Sequence, residues 1–258
     1  MKVPRLLKTL LASTIYRIGT KATVLSGPSR GLRYYIFPDA GLAPIYSGWE
    51  PDAQAVMQKS IRSGSIVYDI GANYGVHTLL MARLVGDSGK VFSFEPVSNI
   101  AGELKRNVAL NRFNNVTCIP IAVSDQCGNA SFVLGAHIGA GKLALSSSES
   151  TFLVATITIN EFVRSGQGPA PDFMKIDVEG AESKVLSGAS NIMREHRPTI
   201  LVDLHNPNED RAVGRIFSDC DYDVFRTNNG SKVKRLDLGW PEEEGIWGQV
   251  VGVPRERL

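Results

Sequence analysis

The 258-residue sequence predicts an α/β fold built on a doubly wound, mostly parallel sheet. Three features carry this prediction: short apolar runs, helical patterns between them, and an acidic residue near the end of each run. Apolar runs without polar alternation are typical of strands buried on both faces, as parallel strands between helices are. Their alternation with helices favours a doubly wound sheet, in which ligands bind beyond the carboxyl ends of the strands.

The first three strands are predicted over Ser65 to Ile70, Lys90 to Glu95 and Val116 to Val123. Between the first two, Val76 to Val85 has helical periodicity and follows a glycine-containing turn. Ser98 is a residue type that caps helices, and a helical pattern of apolar residues follows it. Strands and helices therefore alternate as the fold class requires.

Two further apolar runs, Phe173 to Ile176 and Thr199 to Leu204, predict the next strands, with a helix from about Ala181 to His196 between them. The Gly- and Ser-rich segment 128–150 and the β-branched residues 154–159 predict a hairpin or flap over the site. Because the carboxyl ends of parallel strands meet at one edge of a sheet, the acids at these ends should lie together. These acids are Asp69, Glu95, Asp125, Asp177 and Asp203.

Composition and length fit one large domain, since 43% of the residues are hydrophobic and 21% are charged. We divide the chain into residues 1–40, a helix and lead-in, and residues 41–258, with the motif-bearing core at 65–206. The basic residues within 1–38 are too few and too local for a nucleic-acid-binding stripe. Three scattered cysteines without Cys-x-x-Cys spacing favour a reducing compartment, so we expect a cytoplasmic protein.

The N-terminus carries apolar residues at helical spacing, namely Leu7, Leu11, Ile15 and Ile18. They predict an amphipathic helix that packs on the domain, with weak contact to an anionic membrane surface as the alternative. We find no segment long and apolar enough to be a transmembrane helix.

The turn after the first strand reads D-I-G-A-N-Y-G. Dinucleotide-binding proteins instead carry three glycines, G-x-G-x-x-G, around a pyrophosphate that Asp69 would repel. This carboxylate suits the ammonium and sulfonium groups of S-adenosylmethionine, and Gly71 would let the backbone approach that ligand closely. Glu95 can accept hydrogen bonds from both ribose hydroxyls, while Asp125 either reaches the adenine or serves only a turn. The predicted cofactor-binding residues are Asp69, Gly71, Ala72, Asn73, Gly75, Glu95, Ser124 and Asp125.

Several longer motifs follow one another along the chain. They are Y-S-G-W-E (46–50), D-I-G-A-N-Y-G (69–75), F-E-P (94–96), A-V-S-D (122–125), K-I-D-V-E-G-A-E (175–182) and V-L-S-G-A (185–189). With these motifs, the sequence from about Gly41 to Asn206 resembles methyltransferases of the FkbM type. The eight-residue K-I-D-V-E-G-A-E motif is much more specific than a glycine pattern alone.

The resemblance implies the Rossmann-like sheet of class I methyltransferases, with seven strands of which the last is antiparallel. Tyr222 to Arg226 and Ile246 to Val251 would supply the last two strands. The resemblance also implies S-adenosylmethionine as methyl donor and a hydroxyl oxygen of a sugar, glycan or secondary metabolite as acceptor. Glu50 and Glu179 are the expected acceptor-binding residues, and the segment after Arg226 is one expected wall of the acceptor pocket.

Methyl transfer to an alcohol requires an aligned oxygen and help in removing its proton. Asp177 ends the fourth strand, Asp203 ends the fifth, and His205 lies just beyond, so these three are the expected catalytic residues. In one mechanism His205 or Asp177 is the general base and no metal takes part. In the other, Asp177, Asp203 and Asn206 hold Mg²⁺, which lowers the pKa of the acceptor hydroxyl. The simpler alternative for Asp177 and Glu179 is that they favour the start of the following helix.

Three other functions remain as alternatives. An NAD-dependent oxidoreductase is disfavoured by the missing third glycine. A nucleic-acid methyltransferase is disfavoured because neither an [N/D]-P-P-[Y/F] motif nor a Pro-Cys nucleophile is present. A binding protein that has lost catalysis is disfavoured by the intact row of acids. His77, His137 and His196 have no partners at ligand spacing, so we assign them no role.

Overall fold

A computed structural model of the chain describes residues 19–37, 49–134, 141–143 and 151–257. The amphipathic helix predicted at the N-terminus lies outside the described residues. The same holds for the first three residues of the Y-S-G-W-E motif and for two parts of the glycine- and serine-rich segment.

The described residues form thirteen strands and seven α-helices. The strands are β1 (Lys21–Thr23), β2 (Arg33–Tyr35), β3 (Ile66–Ile70), β4 (Lys90–Phe94), β5 (Val116–Ile119), β6 (Ala122–Val123), β7 (Gly128–Leu134), β8 (Gly141–Leu143), β9 (Thr151–Ile157), β10 (Phe173–Ile176), β11 (Thr199–Asp203), β12 (Tyr222–Arg226) and β13 (Gln249–Pro254). The helices are α1 (Pro51–Ser60), α2 (Val76–Val85), α3 (Ser98–Leu110), α4 (Ile159–Arg164), α5 (Glu182–Gly188), α6 (Ser190–Glu195) and α7 (Pro207–Asp219).

Seven strands form the central sheet, in the order β12-β13-β11-β10-β3-β4-β5. Neighbours from β11 to β5 are parallel, and β13 runs antiparallel to both β11 and β12. The predicted sheet, with its last strand antiparallel, is confirmed. Strand order reverses between β3 and β10, which is where ligands bind in sheets of this class.

Helices cover both faces of the sheet because alternate residues of each strand point to opposite sides. Tyr68 and Ile70 of β3 join a core that includes apolar residues of α4 to α7. Val67 joins a second core with residues of α1, α2 and α3. The strands are therefore buried on both faces, as their unbroken apolar sequences predict.

Three predicted elements differ from the observed ones. The third strand ends at Ile119 because Pro120 has no backbone N–H for the ladder, and β6 pairs instead with β9 in a separate four-stranded sheet. The helix predicted up to His196 is divided between Gly188 and Ser190 into α5 and α6. The last strand begins at Gln249, three residues later than predicted.

The hairpin of β1 and β2 packs against the main domain. The backbone N–H of Tyr35 donates to Asn107 Oδ1 on α3 at 2.8 Å. The backbone N–H of Arg33 donates to Asn111 Oδ1, just after α3, at the same distance. Ala22 and Tyr34 belong to the same core as helix α2. None of the helices in the described ranges combines the length and apolar character needed to cross a membrane.

Candidate active site

The turn after β3 brings the ends of β3 and β10 into contact. Gly71, Asn73 and Gly75 all have positive φ, at 79°, 50° and 88°, a conformation that favours glycine and asparagine. A Cβ at Gly71 would lie 1.8 Å from the backbone oxygen of Asp177. The sequence suggested that Gly71 lets the backbone approach a ligand. In the structure, the group that leaves no room for a side chain at Gly71 is the backbone at the end of β10.

Glu95 is 6% exposed and is anchored by backbone groups. Its Oε2 accepts from the N–H of Asn73 at 3.0 Å, and its Oε1 accepts from the N–H of Val97 at 2.9 Å. Burial raises the pKa of Glu95 to about 7, against the lowering effect of these two hydrogen bonds. Ser98 is the first residue of α3 and not its cap, a position held by Val97.

Asp69 lies beneath the turn and is fully buried. Its Oδ2 accepts a hydrogen bond from Thr78 Oγ1 on α2, and its Oδ1 has no hydrogen-bond partner among the described residues. Asp69 is outside the described lining of the neighbouring clefts. Asp69 is therefore buried behind the residues that line the clefts, whereas the sequence suggested that it contacts the ligand directly.

Ser124 and Asp125 follow β6 at the far end of the site. Ser124 is 5% exposed, and its Oγ donates to Asp125 Oδ1 at 3.0 Å. The described lining at this end comes instead from the apolar residues Ala122, Val123 and Phe132. The structure therefore brings Ser124 and Asp125 near the site without placing them in its wall.

Two clefts open at the carboxyl edge of the sheet. The first cleft has a volume of about 660 Å³ and contains Glu95 and the apolar residues beyond β6. The second cleft, of about 380 Å³, lies between the turn and residues His77 and Lys175. Both clefts are lined by Gly71, Asn73 and Asp177, so they meet at the point where strand order reverses.

Asp177 carries the charge at this meeting point. The buried Lys175 donates to Asp177 Oδ2 at 2.9 Å. Burial raises the pKa of Asp177, but the Lys175 ammonium outweighs burial and leaves the pKa below its ordinary value. The Asp177 carboxylate is consequently ionised at neutral pH. Sequence reasoning missed Lys175, although it opens the K-I-D-V-E-G-A-E motif and stands two residues before Asp177 in a strand.

His205 lies among three carboxylates. Its Nδ1 is 3.0 Å from Glu182 Oε1, and its Nε2 is 3.6 Å from both Asp177 Oδ1 and Glu179 Oε2. Burial lowers the pKa of His205, but the hydrogen bond to Glu182 and the nearby negative charges outweigh it and raise the pKa to about 9. Glu182 is fully buried, and its Oε1 also accepts from Gly180 N at 3.0 Å. Glu182 was not among the predicted site residues, although its motif was recognised.

Asp203 completes the group of acids. Burial and the charge of Asp177 raise the pKa of Asp203 to about 6. One potential ligand atom from each of Asp177, Asp203 and His205 lies within 4.8 Å of the others. Asn206, predicted as the third ligand, instead caps α7, because its Oδ1 accepts from the N–H groups of Asn208 and Glu209 at 3.1 Å.

Glu50 reaches the rim from the start of α1. Its Oε2 accepts from Gln249 Nε2 at 3.0 Å and lies 3.8 Å from His77 Nε2. Burial and the positive charge of Lys175 lower the pKa of His77. His77 had no assigned role, yet it lines the second cleft. The sequence did not indicate this role, because Glu50 and Lys175 are far from His77 along the chain.

Comparison with known proteins gives a consistent result. Residues 69–224 match the family described as the methyltransferase FkbM domain. Over 173 residues the chain is 28% identical to the hexuronic acid methyltransferase AglP of Haloferax volcanii. This alignment covers 66% of the present chain and 69% of AglP.

A solved structure of a candidate rRNA methylase from Clostridium thermocellum shares the fold, with a TM-score of 0.50, 12% identity, and coverage of 78% of this chain and 92% of that one. The FkbM methyltransferase of Methylobacillus flagellatus aligns with a TM-score of 0.49 and 15% identity over 77% of this chain. The alignment covers 50% of that protein's length.

Proposed function

The chain belongs to the FkbM methyltransferase family, and from this premise we propose that it transfers a methyl group from S-adenosylmethionine to a hydroxyl oxygen of a sugar, glycan or secondary metabolite. The observation that carries the proposal is the junction of the two clefts at Asp177, with His205 beside it. A relative of similar sequence is named for methylating a hexuronic acid. That name supports a hydroxylated sugar as the class of acceptor.

The residues of the two clefts fit this cofactor. The apolar end of the first cleft suits an adenine ring, and the anchored Glu95 carboxylate keeps lone pairs for the ribose hydroxyls. In the second cleft, Asn73 and the start of α2 can face the cofactor's carboxylate. His77 Nε2 is a buried atom with no hydrogen-bond partner among the described residues, and His77 lines the second cleft, where a ligand or its bound water can offset this cost. We assign direct contacts to Gly71, Ala72, Asn73 and Glu95, which line the clefts. We assign a supporting position to Asp69, Gly75, Ser124 and Asp125.

When bound, S-adenosylmethionine supplies an electrophilic methyl carbon, whose bond to sulfur breaks as the bond to the acceptor oxygen forms. Asp177 lies where the two clefts meet and holds negative charge there, which favours a cationic group. The Lys175 ammonium keeps Asp177 ionised and fixed in position. Glu179 lines the first cleft 3.6 Å from His205, and Glu50 lies 3.8 Å from His77 of the second cleft; both are proposed to orient the acceptor.

His205 is the proposed general base. The hydrogen bond between Nδ1 and the buried Glu182 favours the tautomer in which Nε2 is free to accept a proton. Nε2 faces Asp177, so a hydroxyl placed there would lose its proton to the imidazole as its oxygen attacks. Glu182 is a positioning residue in this scheme, in the manner of the acid that orients histidine in hydrolase triads.

A divalent cation is the second mechanism that the geometry supports. Asp177, Asp203 and His205 offer two carboxylates and an imidazole, and this donor set suits Mn²⁺ or Zn²⁺ at least as well as Mg²⁺. The ion would bind the acceptor oxygen and lower its pKa. The two mechanisms make opposite predictions for a chelator: activity persists under the base mechanism and disappears under the metal mechanism until the ion is restored.

The function is tested by incubating the purified chain with S-adenosylmethionine labelled in its methyl group and a panel of hydroxylated sugars and metabolites. The expected result is label in an ether-linked methyl group of at least one acceptor. His205→Ala should lower the rate by roughly 10²–10⁴-fold under the base mechanism. Transfer of label to nitrogen or carbon only, or to none of the hydroxyls, would contradict the proposal.

A further inference from the structure

A third cleft, which we call the tryptophan cleft, lies on the outer side of His205. It has a volume of about 390 Å³, and its lining includes His205, Asp210, Trp240 and Trp247. Nothing in the motifs assigns a role to the two tryptophans, which lie in the segment between β12 and β13. His205 lines this cleft, and its Nε2 lies 3.6 Å from Asp177 Oδ1, so the cleft borders the proposed reaction centre.

Trp240 presents an aromatic surface to water. The residue is 55% exposed, so a large part of its aromatic surface is available to a ligand. Its ring meets that of Trp247 edge to face, with centroids 5.3 Å apart and an interplanar angle of 81°. The Arg226 guanidinium covers the Trp247 ring at 4.1 Å, so Trp247 is held between two neighbours and supports Trp240.

The segment that carries these rings is fixed to the protein at several points. The buried Asp210 of α7 accepts from the backbone N–H of Trp240 at 2.9 Å. Trp247 Nε1 donates to the backbone oxygen of Glu242 at 3.0 Å. Arg226 donates to the backbone oxygens of Glu243 and Gly245 at 2.8 and 2.7 Å. The rings are therefore preorganised, which reduces the entropic cost of binding.

The charges near the tryptophan cleft disfavour an anionic ligand. The cationic side chains near the cleft in the described chain are already engaged. A protonated His205 faces three carboxylates, Arg226 donates to backbone oxygens and covers Trp247, and Arg211 donates to Asn208 and interacts with Asp210. Asp203 and Asp210 add further acidic groups beside the cleft. A carboxylate on the acceptor would therefore meet several acidic groups, while the cationic side chains described beside the cleft already have partners.

We propose that Trp240, supported by Trp247, packs against the apolar C–H face of a neutral pyranose ring and presents one of its hydroxyls to His205. The negative face of an aromatic ring attracts the weakly positive C–H groups of a sugar, and the hydroxyls at the ring edge remain free for the surrounding acids. This inference rests on the proposed function and narrows its acceptor to an uncharged sugar. It differs from the hexuronic acid for which the similar methyltransferase is named.

The test compares wild type with Trp240→Ala, Trp240→Phe and Leu25→Ala on a panel of neutral methyl pyranosides and their 6-carboxylate counterparts. Leu25 is a matched control, because it is equally exposed at 55% and distant in sequence from the cleft. On the best neutral pyranoside, Trp240→Ala should raise KM about tenfold or more and leave kcat within about threefold, because it removes packing without touching the reacting atoms. Trp240→Phe and Leu25→Ala should stay close to wild type.

A binding measurement keeps the inference falsifiable if turnover is not detected. Saturation-transfer NMR should show contact to the ring C–H protons of the neutral pyranosides for wild type and should lose it for Trp240→Ala. The inference is overturned by an unchanged KM or an unchanged NMR contact in Trp240→Ala, or by preference of wild type for the carboxylated sugars. Methyl transfer to hydroxyls other than those of pyranosides would also overturn it, while leaving the proposed function intact.

Discussion

At the scale of single residues, each acid at the edge of the sheet has its properties set by its neighbours. Glu95 is desolvated and has two backbone donors, so its pKa is raised to about 7. Asp177 has the Lys175 ammonium, so its pKa is lowered. Burial raises the pKa of both carboxylates, so the opposite net shifts show that the partner, and not the burial alone, decides whether a carboxylate is charged.

Glu95 should make the stability of the protein depend on pH. Its pKa is near 4.5 in the unfolded chain and about 7 in the folded protein, so folding takes up a proton between these values. The free energy of unfolding should therefore fall as the pH rises through this window, by up to about 3 kcal/mol from this group. Glu95→Gln cannot titrate and should show a smaller fall, measured as thermal unfolding between about pH 4.5 and 7. Parallel curves for the two proteins would contradict the assignment.

His205 should give the reaction an alkaline pH dependence under the base mechanism. Its pKa is raised to about 9 by Glu182, Asp177 and Glu179 against the lowering effect of burial, and only the neutral imidazole accepts a proton. The rate should therefore rise with pH toward that value. Glu182→Gln removes one of the carboxylates that stabilise the protonated imidazole, so the midpoint of the profile should move to lower pH. The limiting rate at high pH should fall, because His205 is no longer held in position. A profile unchanged by Glu182→Gln would show that Glu182 does not act through His205.

At the scale of elements, the contact between the turn after β3 and the end of β10 fixes the junction of the two clefts. Gly71→Ala places a Cβ 1.8 Å from the Asp177 oxygen and should cost roughly 1–3 kcal/mol beyond the strain of positive φ. Gly31→Ala is the matched control, because Gly31 has φ of 84° and open space around its would-be Cβ. Denaturant unfolding should show the larger loss for Gly71→Ala. Equal losses in the two variants would mean that β10 moves aside without cost.

Local sequence predicted the elements well where a single pattern governs them. Helix α2 begins and ends at the predicted residues because a glycine turn precedes it and Gly86 follows it. The division of the helix after Gly188 was not predictable, since it depends on a distant contact. A Cβ at Gly188 would lie 2.2 Å from the backbone oxygen of Ser124, which follows β6. Contacts between elements of this kind leave no local signal.

At the scale of the whole molecule, the reversal of strand order between β3 and β10 brings charged side chains from distant segments together at one edge of the sheet. The sequence placed these residues there because Asp177 follows a predicted strand, Asp203 lies near the end of the next one, and His205 follows that strand. The segment after Arg226 was expected to form a wall of the acceptor pocket, but its two tryptophans were not singled out, because the segment between β12 and β13 has no periodic pattern. That segment acquires its shape from anchors such as Asp210, which is 30 residues away from Trp240 along the chain.

Calorimetric titration of the purified chain with S-adenosylmethionine and with its demethylated product tests the central claim most directly, namely that the first and second clefts form one methyl-donor site. We expect both compounds to bind, NAD not to bind, and Glu95→Ala to weaken binding by about 1.5–3 kcal/mol, the value of hydrogen bonds to a charged acceptor. Tight binding of NAD, or an affinity for S-adenosylmethionine that Glu95→Ala leaves unchanged, would contradict the account.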